Sequence, residues 1–460
     1  MKLRILTPGL LLVHVLALHG LGAWFKWGTP DEEVEAASGM TAAPEIHQSG
    51  SGPLAHPPET SPGIEMMASE ATRAAVETLP GHLDLDSFVT EDGAMFGDLG
   101  NGWTAELTLD PVLQKLATRG LTRGRVPFGA VVLLDPRTGD VLAMADRALA
   151  GNPAVPPASP DGPSHVALRA AAPAASIFKM ITASALLDSG MRPHKRVCFN
   201  SARRTPKAVH LEAPKAGGEC SNMFDALANS ENAFFARAAH TQFKDPRGLR
   251  DTAHRFGFNK VLPFEAKTDA SVAQVPDNPL ERARMAAGFW HARLTPLHGA
   301  LLAATIAEGG LMPTPRLVAR VRTPGGEALD SPTSDPLGRP LSPQHARSVA
   351  KMMKRTMTHG TGRKAFTEKL KIYKHLRGVQ IAGKTGTLDE RTEDRTTRYT
   401  WFVGYAPADN PQVAIAVLVG NGETWWQKAI HVARYVLDGY FKHYPNARPQ
   451  SVATTPSRRG

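Results

Sequence analysis

Cysteine is scarce in this 460-residue sequence, which contains only Cys198 and Cys220. The 17 histidines form no H-x-x-x-H pair and no Cys/His combination with the spacing of a zinc site. These absences argue against a catalytic metal. The sequence therefore predicts no metal site and no metal cofactor.

Basic residues are nearly missing from residues 29–100, where fourteen Asp and Glu accompany a single arginine, Arg73. Clusters of Pro, Ala, Ser and Gly, such as SGSGPLAHPPETSPG, separate the acidic residues. Such a composition cannot bury enough apolar surface to fold alone. We predict that residues 28–100 form an acidic linker, with room for a short helix near residues 64–78.

The positive charge of the chain is concentrated after residue 100, because the overall net charge is +10 in spite of the acidic linker. Nucleic acid is the usual partner of a strongly basic domain. An exported domain would instead meet anionic envelope polymers or lipid headgroups, and a merely solvated basic surface fits equally well. No nucleic-acid partner is predicted.

Long hydrophobic runs are also rare, and residues 5–25 form the longest uncharged stretch near the N-terminus. About 20 apolar residues span a bilayer, and Lys2 and Arg4 place the N-terminus in the cytoplasm. We predict a single N-terminal span over residues 1–27 in the cytoplasmic membrane, with the catalytic domain periplasmic or otherwise extracytoplasmic. A cleaved signal segment and a buried soluble helix are the alternatives.

In an oxidising compartment Cys198 and Cys220 are expected to form a disulfide rather than remain as two free thiols.

The body of the chain, residues 101–443, alternates strand and helix patterns. Strand-like runs cluster near its two ends, for example GAVVLLD at residues 129–135 and VAIAVLV at residues 413–419. Helical patterns fill the middle, for example one helix from about Asp225 to Ala239, and a last one ends near Phe441. This order predicts an α+β fold with a largely antiparallel sheet flanked by helices and a mostly helical subdomain. Residues 444–460 are predicted to be a disordered basic tail.

The stretch GVQIAGKTGT, residues 378–387, fits the phosphate-loop pattern G-x-x-x-x-G-K-[ST]. A true phosphate loop must run directly into a helix, whose N-terminal amides hold the phosphates. The residues after Lys384 show no helical periodicity, and they read as a charged turn followed by a strand from Tyr399. We therefore interpret Lys384 as a strand residue and predict no nucleotide cofactor.

Three short motifs follow one another along the body: Ser176-Ile177-Phe178-Lys179, Ser230-Glu231-Asn232 and Lys384-Thr385-Gly386-Thr387. Each is weak alone, but together and in this order they are specific. Ser176 would open a buried helix at the positive end of its dipole, and Lys179 would lie one turn further on the same face. A buried lysine near a second cation, Lys384, can be neutral and accept the serine proton. Glycine at position 386 would let a substrate backbone lie against the strand edge.

The chain resembles the penicillin-binding proteins, the serine acyltransferases related to penicillin-recognising β-lactamases. Beyond the three motifs, the resemblance rests on these stretches: TLDPVLQ, GAVVLLDPRTGDVLAMA, ALANSENAFFARAA, RLTPLHGALLAATIAEGG, HGTGRKAF and WFVGYAP. They extend from Thr108 to Pro407, and similarity continues to about Phe441. No stretch resembles the long glycosyltransferase domain of bifunctional members, so a separate glycosyltransferase is the expected partner.

The resemblance implies a role for each motif residue. Ser176 would be the nucleophile, Lys179 its base, Ser230 the proton relay to the leaving amine, and Asn232 a contact to Lys179 and the substrate amide. Lys384 would supply positive potential, and Thr385 and Thr387 would hold the terminal carboxylate. The backbone N–H groups of Ser176 and Thr387 would form the oxyanion hole.

The function that this resemblance implies is a D,D-transpeptidase that cross-links peptidoglycan stem peptides through an acyl-enzyme on Ser176. Its substrates would end in D-Ala-D-Ala, and β-lactams would be covalent inhibitors. A D,D-carboxypeptidase is one alternative. A β-lactamase is another, although no Glu-x-x-Leu-Asn loop follows Asn232. A penicillin-binding sensor or scaffold without turnover is the alternative from a different class, but it should have lost a motif.

Overall fold

A computed structural model describes residues 83–201, 204–214, 217–331, 334–367, 372–393, 395–422 and 427–447. The predicted membrane span and the possible helix near residues 64–78 lie outside these residues, as does most of the predicted tail. Within the described residues, no helix is long and apolar enough to cross a membrane.

Fifteen strands occur within the described part of the chain. They are β1 (Val89–Glu91), β2 (Ala94–Gly100), β3 (Trp103–Leu107), β4 (Phe128–Leu134), β5 (Val141–Ala148), β6 (Ala172–Pro173), β7 (Val197–Phe199), β8 (Glu219–Ser221), β9 (Val272–Ala273), β10 (Ala292–Leu294), β11 (Val318–Arg322), β12 (Ala328–Asp330), β13 (Ala382–Arg391), β14 (Thr396–Ala406) and β15 (Val413–Asn421).

The same residues contain ten α-helices. They are α1 (Pro111–Arg123), α2 (Lys179–Asp188), α3 (Met223–Asn229), α4 (Asn232–Gln242), α5 (Arg247–Arg255), α6 (Pro279–Ala286), α7 (Pro296–Ala307), α8 (Pro343–Thr358), α9 (Arg363–Thr367) and α10 (Ala429–His443).

The central sheet has the strand order β13-β14-β15-β4-β5, and every neighbouring pair is antiparallel. Strands β4 and β15 are buried along their whole length. Burial on both faces explains their continuous apolar sequence. Helices α1 and α10 contribute to the hydrophobic core on one face, and α7 packs on the other. The sheet therefore forms the middle layer of the domain, and β13 is one of its edges.

Helices α2 to α6, together with α8, form the mostly helical part of the domain beside this sheet. Most of their buried hydrophobic side chains belong to the same large core as the sheet face covered by α7. The predicted α+β class, with an antiparallel sheet and a helical subdomain, is confirmed.

The folded part begins before the predicted boundary at residue 101. Strands β1 and β2 fall within the range predicted to be a linker, and β2 pairs with β3 in a second sheet of order β1-β2-β3-β11-β12. These strands were missed because β1 is only three residues long and exposed, and because β2, AMFGDLG, has two glycines and an aspartate among its apolar residues. Strand β1 pairs with β2 and β2 pairs with β3, and these backbone hydrogen bonds stabilise strands that composition alone does not predict.

Strand β13 is longer at its C-terminal end than the sequence suggested. Residues 385–391 were read as a charged turn, but they continue the strand to Arg391, and β14 begins at Thr396. The charges are tolerated because they are paired: Asp389 lies 2.6 Å from Arg398 on β14, and Glu390 lies 2.6 Å from Arg293 on β10. Lys384 thus lies inside a strand that is followed by another strand, β14, and not directly by a helix, as predicted.

Strands β7 and β8 form a two-stranded ribbon in which Cys198 and Cys220 are directly opposite each other. The two cysteines form a disulfide, which confirms the predicted pairing. The ribbon lies between α2 and α3 in the chain, so the bridge ties together the segments that follow the first motif and precede the second.

Candidate active site

The first motif lies where an irregular segment becomes a buried helix. Ser176 is in a short 3-10 turn, Ala175–Ile177, which leads directly into α2. Ala175 has a φ of 49°, in the left-handed region that a residue with a side chain rarely adopts. Such strain persists only where the surroundings enforce it, and it is common at functional sites. This turn fixes the direction of the Ser176 hydroxyl.

Lys179 is fully buried, and its amine has three polar neighbours. The Nζ atom lies 2.8 Å from Asn232 Oδ1, 2.5 Å from the carbonyl oxygen of Ala287 and 2.9 Å from Ser176 Oγ. The two carbonyl-type oxygens can only accept hydrogen bonds. A neutral amine has two N–H groups and one lone pair, so donating to both oxygens leaves the lone pair for the Ser176 hydroxyl. This geometry suits a base for that hydroxyl.

Burial and charge both favour the neutral form of Lys179. Desolvation lowers the pKa of its amine well below the ordinary value, and the neighbouring ammonium group of Lys384 lowers it further. Burial also lowers the pKa of Lys384, to about 7. The structure therefore places two lysines with depressed pKa values in one site, which is typical of functional centres.

The second motif lies at a break between two helices. The sequence predicted one helix from Asp225 to Ala239, but α3 ends at Asn229 and α4 begins at Asn232. Between them Ser230 adopts a left-handed conformation with a φ of 58°. The break brings Ser230 Oγ within 3.0 Å of Lys384 Nζ, while Asn232 contacts Lys179. A continuous helix would carry the two side chains to different faces.

The third motif lies on the edge strand β13 and closes the site from the sheet side. A Cβ atom added to Gly386 would lie 3.4 Å from Ala175 Cβ and 3.5 Å from Ile177 Cγ1, so β13 packs directly against the turn that carries Ser176. Thr385 Oγ1 lies 2.7 Å from Thr361 Oγ1. The Lys384 amine is buried and also donates to the Thr385 carbonyl oxygen at 2.7 Å.

One cavity of about 290 Å³ brings the motifs together. It is lined by Ser176, Ser230, Asn232, Thr361, Thr385, Gly386 and Thr387, among other residues. Lys179 and Lys384 lie beneath it, each with its amine bonded to a hydroxyl that lines the cavity. A hydroxyl beside a neutral amine, with a second hydroxyl beside another lysine, can exchange protons with a bound amide or lactam.

Three contributors to the site were not predicted from the sequence. The Ala287 carbonyl accepts from Lys179, and the following residue, Gly288, packs against the backbone of Ala175 and Ser176. Thr361 bonds to Thr385 from the loop after α8. A backbone carbonyl leaves no signature in a sequence. Thr361 does lie in the HGTGRKAF stretch of the resemblance, which could have indicated it.

Gly288 is expected to be essential for the position of Ser176. Its φ is 89°, and an added Cβ would lie 2.5 Å from the Ala175 carbonyl oxygen and 3.0 Å from Ser176 Cα. Gly288→Ala must therefore displace Ser176, and a displacement of about 1 Å in a reacting group can cost roughly 100-fold in rate. We expect a decrease of about that size in the rate of penicillin acylation, measured by stopped flow.

Gly309→Ala is the matched control, because Gly309 also has a positive φ of 61° but no atom within 4 Å of an added Cβ. It carries the backbone strain without the collision. Equal acylation rates in the two variants would show that Gly288 does not position Ser176.

Comparison with known proteins gives a consistent picture. Residues 129–437 match the model of the penicillin binding protein transpeptidase domain. The peptidoglycan D,D-transpeptidase PbpA of Mycolicibacterium smegmatis is 30% identical over 394 residues, which cover 79% of this chain and 75% of that protein. The peptidoglycan D,D-transpeptidase MrdA of Haemophilus influenzae is 25% identical over 386 residues, covering 74% and 56%.

Solved structures agree with these matches. The ceftriaxone acyl-enzyme of penicillin-binding protein A from Mycobacterium tuberculosis has a TM-score of 0.60 at 26% identity, over 73% of this chain and 79% of that one. A D,D-transpeptidase domain from Eggerthella lenta has a TM-score of 0.59 at 25% identity, over 74% and 83%. Sequence and fold lead to the same conclusion: this chain belongs to the family of penicillin-binding proteins with a transpeptidase domain.

Proposed function

We propose that this chain is a serine-type D,D-transpeptidase that cross-links peptidoglycan stem peptides. The observation that carries the proposal is the Lys179 amine, whose two N–H groups are used by Asn232 and Ala287 while Ser176 Oγ lies 2.9 Å away. The relatives named D,D-transpeptidases and the related β-lactam acyl-enzyme structures support this function.

The first half-reaction forms an acyl-enzyme. Ser176 Oγ attacks the carbonyl carbon of the D-Ala-D-Ala bond, and its proton passes to Lys179. The oxyanion would be held by the backbone N–H groups of Ser176 and Thr387, each donor worth about 3 kcal/mol in typical cases. The Ser230 hydroxyl, beside Lys384, would deliver a proton to the leaving nitrogen, and the proton taken up by Lys179 would replace it, so that Lys179 is neutral again for the second half-reaction. The C–N bond breaks and D-Ala departs.

The second half-reaction transfers the acyl group. An amine of a neighbouring strand attacks the ester carbon, Lys179 takes the amine proton, and the ester C–O bond breaks as Ser176 Oγ is reprotonated. Water in place of the amine would give carboxypeptidase activity by the same steps. Throughout, Lys384, Thr385 and Thr387 would bind the carboxylate of the substrate or of a β-lactam.

The location of the enzyme and its partners are also proposals. The predicted span over residues 1–27 would hold the domain outside the cytoplasmic membrane, and the Cys198–Cys220 disulfide is consistent with an oxidising compartment. The transpeptidase domain would occupy residues 101–443 together with strands β1 and β2. Glycan strands would then come from a separate glycosyltransferase.

Two measurements on the purified chain test the function. A fluorescent penicillin should label the protein covalently, and a pentapeptide ending in D-Ala-D-Ala should release D-Ala and, with an acceptor amine, yield a cross-linked product. Labelling with no release from any peptide would instead indicate a penicillin-binding sensor. Rapid turnover of the penicillin, with the label lost in seconds, would indicate a β-lactamase.

The rate of acylation should depend on pH through both lysines. Lys179 must be neutral, so the rate falls at low pH as its amine takes up a proton. Lys384 is useful as a cation, and its pKa is about 7 in the free enzyme, so the rate also falls as pH rises through that value. We expect a bell-shaped profile of second-order acylation constants between about pH 5 and 9. A rate that still rises above pH 8 would exclude a cationic role for Lys384.

A further inference from the structure

The chain from the start of α8 to the residue before Ile381 is strongly basic. Residues 343–380 contain ten Lys and Arg but a single acidic residue, Glu368. None of the three motifs lies within this stretch, although Thr361 lines the active-site cavity. The proposed chemistry therefore leaves this concentration of positive charge unexplained.

Helix α8 carries its basic residues on the side that faces solvent. Its opposite side is buried through Ala346, Val349, Met352, Met353, Thr356 and Met357. Arg347 and Lys351 are exposed, and Lys354 is half-buried. These three positions are spaced by four and three residues, which places them along one side of a helix. They form a row of cations on the surface of α8.

Direct contacts connect this row to the turn before β13. Lys354 Nζ lies 3.0 Å from Asp409 Oδ1. The residue before this aspartate, Ala408, donates its backbone N–H to the carbonyl oxygen of Gln380 at 2.7 Å. Gln380 directly follows a compact, hydrogen-bonded turn over residues 374–379. The exposed Lys374, at the start of this turn, therefore lies on the same part of the surface as Lys354.

Arg434 of α10 brings the short helix α9 to the same place. Its guanidinium donates to the carbonyl oxygen of Ala365 in α9 and lies over the ring of Tyr373, 4.3 Å from the ring centre. The residues next to these two contacts are basic and exposed: Arg363 and Lys364 on α9, and Lys374 in the turn. We call the six cations together the basic surface: Arg347, Lys351, Lys354, Arg363, Lys364 and Lys374.

Most of the basic surface has no acidic partner. Among the described residues, no ion pair or side-chain hydrogen bond is made by Arg347, Lys351, Arg363, Lys364 or Lys374. Lys354 pairs with Asp409, whose side chain is 74% exposed, and such an exposed pair contributes little stability. Like charges four residues apart on a helix, as in Arg347 and Lys351, repel each other. An anionic partner would relieve this repulsion.

An apolar side chain protrudes beside these cations. Ile372 lies two residues before Lys374, and its exposed fraction of 70% is the largest among the exposed large hydrophobic residues of the described chain. A soluble polyanion would contact the cations and leave Ile372 in water. A bilayer surface offers both phosphate groups and a boundary with acyl chains, where an apolar residue flanked by Lys and Arg is stabilised. The combination favours a membrane surface as the partner.

We propose that the basic surface binds the headgroups of anionic phospholipids, with Ile372 directed into the boundary below them. This is a contact of the folded domain itself, separate from the predicted N-terminal span. It does not depend on the acyl-transfer chemistry. Thr361, which lines the active-site cavity, lies between α8 and α9 in the chain. The contact would therefore hold this cavity close to the membrane surface.

A fluorophore at position 372 tests the contact in the full chain. Cys198 and Cys220, the two cysteines of the sequence, are joined in a disulfide, so Ile372→Cys supplies one free thiol for labelling. The labelled chain is incorporated into vesicles of phosphatidylcholine alone or mixed with phosphatidylglycerol, with a nitroxide quencher on some lipid headgroups. We expect quenching in the anionic vesicles and little in the neutral ones. It should disappear in about 1 M salt, where charges are screened beyond about 3 Å.

Two controls are matched to this measurement. Val261→Cys places the label at a position that is 67% exposed but outside the basic surface, and this label should not be quenched. A basic residue near an anionic bilayer favours the bound state by roughly fivefold, so Arg347→Gln with Lys351→Gln should lower the ratio of bound to unbound domains by roughly 25-fold. Lys115→Gln with Arg119→Gln removes an equally spaced exposed pair from α1 and should change nothing.

Each other result contradicts the proposal. Equal quenching in neutral and anionic vesicles, equal quenching at positions 372 and 261, or no quenching at position 372 would show that the basic surface does not bind anionic lipid. If neutralising the acidic residues 31–35 exposes the label in the absence of vesicles, the surface binds the chain's own acidic segment instead. Covalent labelling by penicillin is measured separately in every variant, so failure of the lipid contact leaves the proposed function standing.

Discussion

Ser176→Ala is expected to abolish covalent labelling by penicillin completely. The substitution removes the oxygen that is proposed to form the ester, while the small change in a turn that already contains Ala175 should leave the fold intact. The measurement is fluorescence of the labelled band, with thermal unfolding as the check on folding. Labelling that persists in the variant would remove Ser176 as the nucleophile.

Lys179→Arg tests the proposed base independently of the proposed nucleophile, Ser176. A guanidinium group cannot lose its proton at any accessible pH, and it could not offer a lone pair to the Ser176 hydroxyl. This variant should therefore fail to label even though it keeps a long basic side chain. Because Lys179 is fully buried, Lys179→Met is a useful second variant that removes the charge and retains the approximate volume. Normal labelling by either variant would exclude Lys179 as the base.

Lys384→Ala is expected to slow acylation by roughly 100-fold or more, the scale typical of lost electrostatic stabilisation in a transition state. The amine is buried and contacts Ser230 Oγ and the Thr385 carbonyl oxygen. Removing it leaves both groups without this donor and removes the cation next to Lys179. The second-order rate constant with benzylpenicillin measures the loss.

Gly386→Val should slow acylation nearly as much, because the valine side chain would collide with the turn that carries Ser176.

The stretch GVQIAGKTGT, which contains Lys384, also fits the pattern of a phosphate loop. That interpretation predicts that the chain binds a nucleotide. Magnesium ATP would then raise the melting temperature, by an amount equivalent to about 2.7 kcal/mol at a hundredfold excess over its dissociation constant. We expect no shift, because Lys384 lies inside β13 and pairs with Val403 of β14. Saturable ATP binding, or unchanged acylation in Lys384→Ala, would contradict the role given to this lysine.

The residues that bring chemical groups to the candidate active site could largely be predicted from the sequence. Three motifs occur in a fixed order along the chain: Ser176-x-x-Lys179, Ser230-x-Asn232 and Lys384-Thr385-Gly386. The reason for each residue type could be given from its local sequence. The continuous apolar runs of β4 and β15 also predicted buried strands, because a strand covered on both faces needs apolar side chains throughout. These features depend on neighbours in the chain, which a sequence displays directly.

The tertiary structure decided what depends on distant partners. The break in the helix at Ser230 places that residue against Lys384, 154 positions away in the chain. Strand β13 extends to Arg391 because Arg398 and Arg293 neutralise its acidic residues. The Ala287 carbonyl joins the site through a backbone oxygen, which every residue has. The sequence by itself thus determined which groups could react. Long-range packing determined the hydrogen bonds of the Lys179 amine and the cavity beside it, because no local pattern encodes a contact between remote segments.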